Sequence, residues 1–195
     1  MELISDILYW ISTGLLVPVI VILIILFIRA LLLIGSFFGQ YLAIRKSSAL
    51  VRKALTGVTP HSVDAILDKL PKNDKMLVIS YIRRIIDARN DKTEVKRLLA
   101  EFEIDADKDL GVCKMLTKLG PMMGLMGTLI PMGPALAGLA SGDIESMARN
   151  MQVAFATTVT GLVAAAIGYV TQQVKQRWYL QDITNLEYLS ETIGK

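Results

Sequence analysis

Three runs of the chain are almost free of polar residues, and between and after them apolar positions recur at helical spacing. The runs cover residues 14–28, 119–141 and 151–174, and the first resumes after Arg29 and stays apolar to Phe38. About 20 apolar residues in a helix cross a hydrocarbon core of about 30 Å. The pattern therefore predicts span one over residues 12–38, span two over 119–141 and span three over 151–174, with a short turn at 142–150. The segment 39–118 reads as helices throughout. "QYLAIRKSSALVRKAL" continues from span one, and "TPHSVDAILDKL" predicts a helix with Thr59 as its cap and Pro60 at its first position. "NDKMLVISYIRRIIDAR" places Met76, Ile79, Ile82 and Ile86 on one stripe. "TEVKRLLAEFEI" predicts a further helix capped by Thr93, and "GVT" and "PKND" read as turns. Residues 175–195 form a last amphipathic helix, with Trp178 and Tyr179 at an interface position. The predicted fold is all-α: a polytopic membrane protein whose three transmembrane helices extend into a cytoplasmic helical bundle.

Charge gives this fold an orientation. The net charge is only +3, but sixteen of the 21 Lys and Arg lie between Arg45 and Lys118. The positive-inside rule makes that segment cytoplasmic. The N-terminus and the turn at 142–150 then lie outside, and the tail with Lys175 and Arg177 lies inside. Tyr9 and Trp10 fall where an outer aromatic belt would sit. Glu2 and Asp6 precede the first run and no small-residue cleavage site follows it, which reads as a retained helix rather than a signal peptide. Arg29 lies about 25 Å along span one at 1.5 Å per residue. Two readings stay open for it: a side chain snorkelling to the inner headgroups, or a functional charge within the membrane.

Several function classes have no support. The basic segment is interleaved with acidic residues and carries no aromatic platform, which argues against nucleic acid as a partner. Cys113 is the only cysteine and His61 the only histidine, so neither a disulfide nor a metal site is expected. No phosphate-binding loop, catalytic carboxylate pair or nucleophile motif appears, so neither an enzyme nor a cofactor is expected.

Spans two and three carry the unusual pattern. Gly120, Gly124, Gly127, Pro131, Pro134 and Gly138 step by four and three along one stripe of span two, with Thr128 at its edge. Met122, Leu125, Met126, Leu129, Met132, Leu136 and Leu139 take the other side. In span three Ala154, Thr158, Gly161, Ala165, Gly168 and Gln172 repeat the spacing, flanked by Thr157, Thr160 and Thr171. Small residues let membrane helices approach closely, which explains the glycines without further assumption. The threonines admit two readings: hydroxyls bonded to carbonyls one turn back, or hydroxyls lining a path. Neither span contains Asp, Glu, Lys, Arg or His, so a proton relay through them needs an acid from another chain.

"PMMGLMGTL", followed by "AFATTVTGLVAAAIGY", resembles the MotA/TolQ/ExbB proton-channel family. Its P-x-x-G-L-x-G-T motif corresponds to Pro121, Gly124, Leu125, Gly127 and Thr128, and its T-x-x-G-L motif to Thr158, Gly161 and Leu162. Three spans and a large segment between the first two resemble ExbB and TolQ more than four-span MotA. The resemblance implies a homo-oligomer, a pentamer, in the prokaryotic cytoplasmic (inner) membrane. Spans two and three would enclose the helices of a single-span, ExbD/TolR-like partner whose intramembrane aspartate carries the proton, and ion flow would drive mechanical work. It also implies that Thr128 and Thr158, with Thr157 and Thr160, line the ion pathway. Pro121, Gly124, Gly127, Pro131, Ala154, Gly161, Ala165 and Gly168 would pack against partner helices or other subunits. Two positions depart from the ExbB pattern: Val153 stands where a glutamate precedes the span-three motif, and Pro131 replaces a glycine. Pro131 and Pro134 are expected to kink the outer half of span two.

Overall fold

The computed structural model describes residues 2–55 and 77–193. The helix expected after Thr59, the turns "GVT" and "PKND", His61 and Met76 lie outside those residues. Among the described residues the chain is helical with no strand: α1 Glu2–Gly14, α2 Leu16–Leu55, α3 Leu77–Asp87, α4 Lys92–Ala140 and α5 Ile144–Ile193. Three stretches are long and apolar enough to cross a membrane, lying in Ile7–Tyr41, α4 and α5. Met1–Gly35 with Val112–Thr171 forms one compact unit, and Ser36–Gly111 with Gln172–Lys195 a second.

The helix ends follow local chemistry and correct two expectations. The segment expected as span one lies within Ile7–Tyr41, with the single residue Leu15 between α1 and α2. Pro18 has no N–H to offer the carbonyl of Gly14, so the ladder skips there, although Val19 N–H resumes it on the Leu15 carbonyl at 3.1 Å. The cap of α4 is Asp91 rather than Thr93: its Oδ1 accepts from the N–H groups of Thr93 at 2.9 Å and Glu94 at 3.1 Å, which are the donors an N-cap serves. The turn expected over 142–150 is confined to three residues, Ser141, Gly142 and Asp143, because residues 144–150 already belong to α5. Gly142 is left-handed at φ 78°. That conformation lets the Asp143 N–H reach the Gly138 carbonyl at 2.8 Å and the Gly142 N–H reach Leu139 at 3.2 Å, closing α4 as a Schellman motif. Asp143 then caps α5 through the Ser146 N–H at 2.9 Å.

In the first unit α2 runs antiparallel to α4. Val19 and Leu23 pack with Ile130, Met126 and Met123. Leu26, Ala30 and Leu33 pack with Cys113, Leu116 and Ala164. The outward faces are apolar, including Ile24, Ile28, Leu125, Leu129, Leu136, Val159 and Leu162. Large exposed apolar surface of this kind suits lipid or other membrane chains.

The second unit is built around α3. The stripe expected there is buried at Ile79, Ile82 and Ile86, and widens to Val78, Tyr81 and Ile85. It packs on Val95, Leu98, Phe102 and Ala106 of α4 and Leu186 and Leu189 of α5. Each buried Val, Leu, Ile or Phe side chain there contributes about 1.5–3 kcal/mol. The Tyr81 ring meets Phe102 edge-on at 5.3 Å, and its hydroxyl donates to Asp105 Oδ2 at 2.7 Å. Burial and that bond push the Tyr81 phenol up to about 12, while the same bond, with Lys108 beside it, holds the Asp105 carboxyl below its usual range. Trp178 stacks on Phe37 at 5.6 Å.

Tyr179, expected at an interface position, turns its hydroxyl toward the protein and donates to Asp109 Oδ2 at 2.6 Å. The same oxygen accepts from Lys175 Nζ at 2.7 Å. The Lys175 side chain is 4% exposed and that of Asp109 38%. Only the carboxylate has access to water if the pair is broken, so the two ends are not equivalent. Asp109→Ala, which strands a buried ammonium, should lower unfolding stability in detergent by about 3 kcal/mol. Lys175→Met, which leaves a carboxylate that hydrates, should lower it by about 1 kcal/mol. Chemical denaturation of both variants measures the difference.

Candidate functional site

The small-residue stripes of α4 and α5 meet each other. A Cβ placed on Gly120 would lie 2.6 Å from the Gly161 carbonyl oxygen, and one on Gly161 would lie 2.5 Å from the Gly120 carbonyl oxygen. No side chain fits between backbones that close. Beyond this crossing, Gly127 faces the Thr157 side chain at 2.6 Å and Gly168 faces Leu116 Cβ at 2.7 Å, both measured from the position a Cβ would take. Gly124, Gly127, Pro131, Ala154, Gly161, Ala165 and Gly168 are all buried, and Pro121 is half-buried. The stripes assigned from sequence to partner or subunit packing are filled by this chain itself, which leaves other faces for other chains.

The four candidate threonines separate into distinct environments. The apolar clusters that α2 joins take in Leu116, Leu119, Met123, Met126 and Ile130 of α4, and Ala164 and Ile167 of α5. On α4, Thr128 shares a row with Pro121 and Met132, one row past the glycines and on the side away from α2. On α5, Thr158 shares a row with Leu162 and Tyr169, also away from α2. Thr160 precedes Ala164 and Ile167 by four and seven residues and so lies on the α2 side. Thr157 is buried between α4 and α5. Helix geometry and packing thus bring Thr128 and Thr158 out on one side of the α4–α5 pair, and separate Thr157 and Thr160 from them.

Every one of these hydroxyls donates to a carbonyl within its own helix. Thr128 donates to Leu125 at 2.7 Å, Thr157 to Ala154 at 2.9 Å and Thr160 to Ala156 at 2.8 Å. Thr158 is shared, reaching Ala154 at 3.3 Å and the Gly124 carbonyl of α4 at 3.5 Å. Donation leaves each oxygen's lone pairs available, so Thr128 and Thr158 can accept a hydrogen bond from an incoming acid or water. They cannot supply a charge.

Sequence reasoning missed the Asp109–Lys175–Tyr179 cluster, although its signal is present. Lys175 extends the row of Gly161, Ala165, Gly168 and Gln172 by another helical step, and Asp109 lies eleven residues before Gly120. Read past the ends of the spans, the stripes would have paired them.

The crossing is testable one glycine at a time. Gly161→Ala should cost about 1–3 kcal/mol through overpacking against backbone that cannot yield. Gly124→Ala, whose new Cβ would meet its nearest neighbour at 3.5 Å, should change stability by no more than about 0.5 kcal/mol. Thermal unfolding in detergent compares them.

Comparison with known proteins adds one match. The family described as the MotA/TolQ/ExbB proton channel family matches residues 62–187, which take in α3, all of α4 and most of α5. No curated protein matches the chain. With its three helices able to span a bilayer and a family match over most of its length, this multi-pass membrane protein belongs to the MotA/TolQ/ExbB proton channel family.

Proposed function

We propose that the chain is an ExbB/TolQ-like, three-span subunit of a proton-driven motor. It assembles as a pentameric ring in a prokaryotic cytoplasmic membrane, with its N-terminus outside and residues 39–118 and 175–195 in the cytoplasm. The ring encloses the transmembrane helices of an ExbD/TolR-like single-span partner, and proton flow is turned into mechanical work rather than catalysis. The observation that carries this reading is the emergence of Thr128 and Thr158 on the same side of the α4–α5 pair, away from α2. Those hydroxyls stand in spans without an acid or base. They suit a partner's aspartate, which supplies the titrating group while the threonines accept its proton in a hydrogen bond.

A non-conducting scaffold is the second reading. It is favoured by the mutual filling of the two small stripes and by hydroxyls already bonded to their own helices.

Substitution separates the two. Thr128→Val and Thr158→Val should each lower ion-driven function up to roughly tenfold, as expected for one lost hydrogen bond from the protonated carboxyl, at most about 1.5 kcal/mol. Thr160→Val, on the other side, should leave it intact. Equal activity in all three variants, measured as proton uptake by vesicles, would favour the scaffold. Affinity purification from gently solubilised native membranes supplies the second test. The motor reading expects a single-span protein with an intramembrane aspartate, at fewer copies than this chain. A homo-oligomer recovered without one would support the scaffold.

A further inference from the structure

We propose that Arg29, with Lys118 at the same depth, binds the phosphate of an anionic phospholipid headgroup. The packing register sets that depth. Ala30 is fully buried, and with Leu26 and Leu33 it belongs to the cluster formed with Cys113 and Leu116, against which Leu119 and Met123 pack. Val19 and Leu23 lie with Ile130, further along α4. Because α2 and α4 run antiparallel, Arg29 comes level with residues 116–123, where the apolar run of α4 begins just after Lys118.

Arg29 turns away from the core. It is exposed on a face where Ile25, Ile28 and Leu32 are exposed by 50%, 50% and 69%. Neither Arg29 nor Lys118 has a hydrogen bond or ion pair among the described residues. The charged residues of this unit near that depth are Arg29, Lys114 and Lys118, all cations, whereas its acids belong to α1, to the turn at Asp143 and to the start of α5. A guanidinium on an apolar, outward face at headgroup depth suits an anion from outside the chain, and its planar fork matches a phosphate. The reading of Arg29 as a functional charge within the membrane finds no partner for it among the described residues. The orientation proposed above places the site in the inner leaflet, but lipid binding itself does not depend on that orientation.

The test counts lipids on the full-length protein. Detergent-purified chain is equilibrated with mixed micelles of phosphatidylglycerol and phosphatidylcholine, and bound lipids are counted by native mass spectrometry. The wild type should retain phosphatidylglycerol preferentially. Arg29→Leu should reduce that preference about fivefold, the effect of one basic residue at an anionic surface. Arg29→Lys should restore most of it, and Lys118→Gln should weaken it as well. An Arg29→Leu variant that keeps the wild-type preference overturns the proposal. So does a wild-type chain that retains no phospholipid while Arg29→Cys crosslinks to a second chain, because the occupant is then a protein. Neither result bears on proton uptake by the threonine variants, so the two readings fail separately.

Discussion

Backbone contact between α4 and α5 at Gly120 and Gly161 is the constraint on which the first unit depends. In lipid no hydrophobic force drives helices together, so association rests on close packing and interhelical hydrogen bonds. Carbonyl oxygens 2.5–2.6 Å from the positions a Cβ would occupy mark an approach that only glycine allows. Fixing this crossing fixes the rotation of both helices about their axes. Leu125, Leu129 and Leu136 must then point outward, and Leu116, Met123 and Ile130 are left for α2 to cover.

The same rotation determines what the threonines can do. Four hydroxyls of similar appearance in the sequence end in three settings: Thr157 between the helices, Thr160 toward α2, and Thr128 and Thr158 together on the remaining side. The backbone contributes further polarity. Pro121, Pro131 and Pro134 all lie inside α4, and each withholds the N–H that would serve the carbonyl four residues earlier, those of Thr117, Gly127 and Ile130. α4 combines tight packing with carbonyls outside the regular ladder, and in a bilayer such groups are tolerated where protein or water covers them.

The second unit solves a different problem with different chemistry. Its core is a conventional apolar one around α3, and the polar ends of buried Tyr81 and Lys175 each meet a carboxylate that is part-exposed: Tyr81 with Asp105, and Lys175, with Tyr179, on Asp109. A buried ion pair adds little net stability against an apolar replacement. Its consequence is geometric: Lys175 Nζ meets Asp109 Oδ2 only while α4 and α5 keep the register that brings the two together.

The sequence by itself determined the three spans, the helical character of the described segments, the stripe of α3 and the small-residue faces of α4 and α5. Each of these follows from local periodicity, which one strand of text records completely. Tertiary structure decided what meets those faces. A glycine stripe looks the same whether it receives another subunit, a partner helix or its own neighbour, and only the packing at Gly120 and Gly161 shows that it receives its neighbour. The cap at Asp91 and the three-residue turn at Gly142 were also missed. In both, neighbouring residues had similar propensities, and the choice among them was made by which N–H groups and carbonyls the helix ends left unbonded. Thr128 and Thr158 were legible as candidates from their motifs, but their separation from Thr157 and Thr160 depends on where α2 lies, and contacts between segments a hundred residues apart leave no periodic trace in the chain.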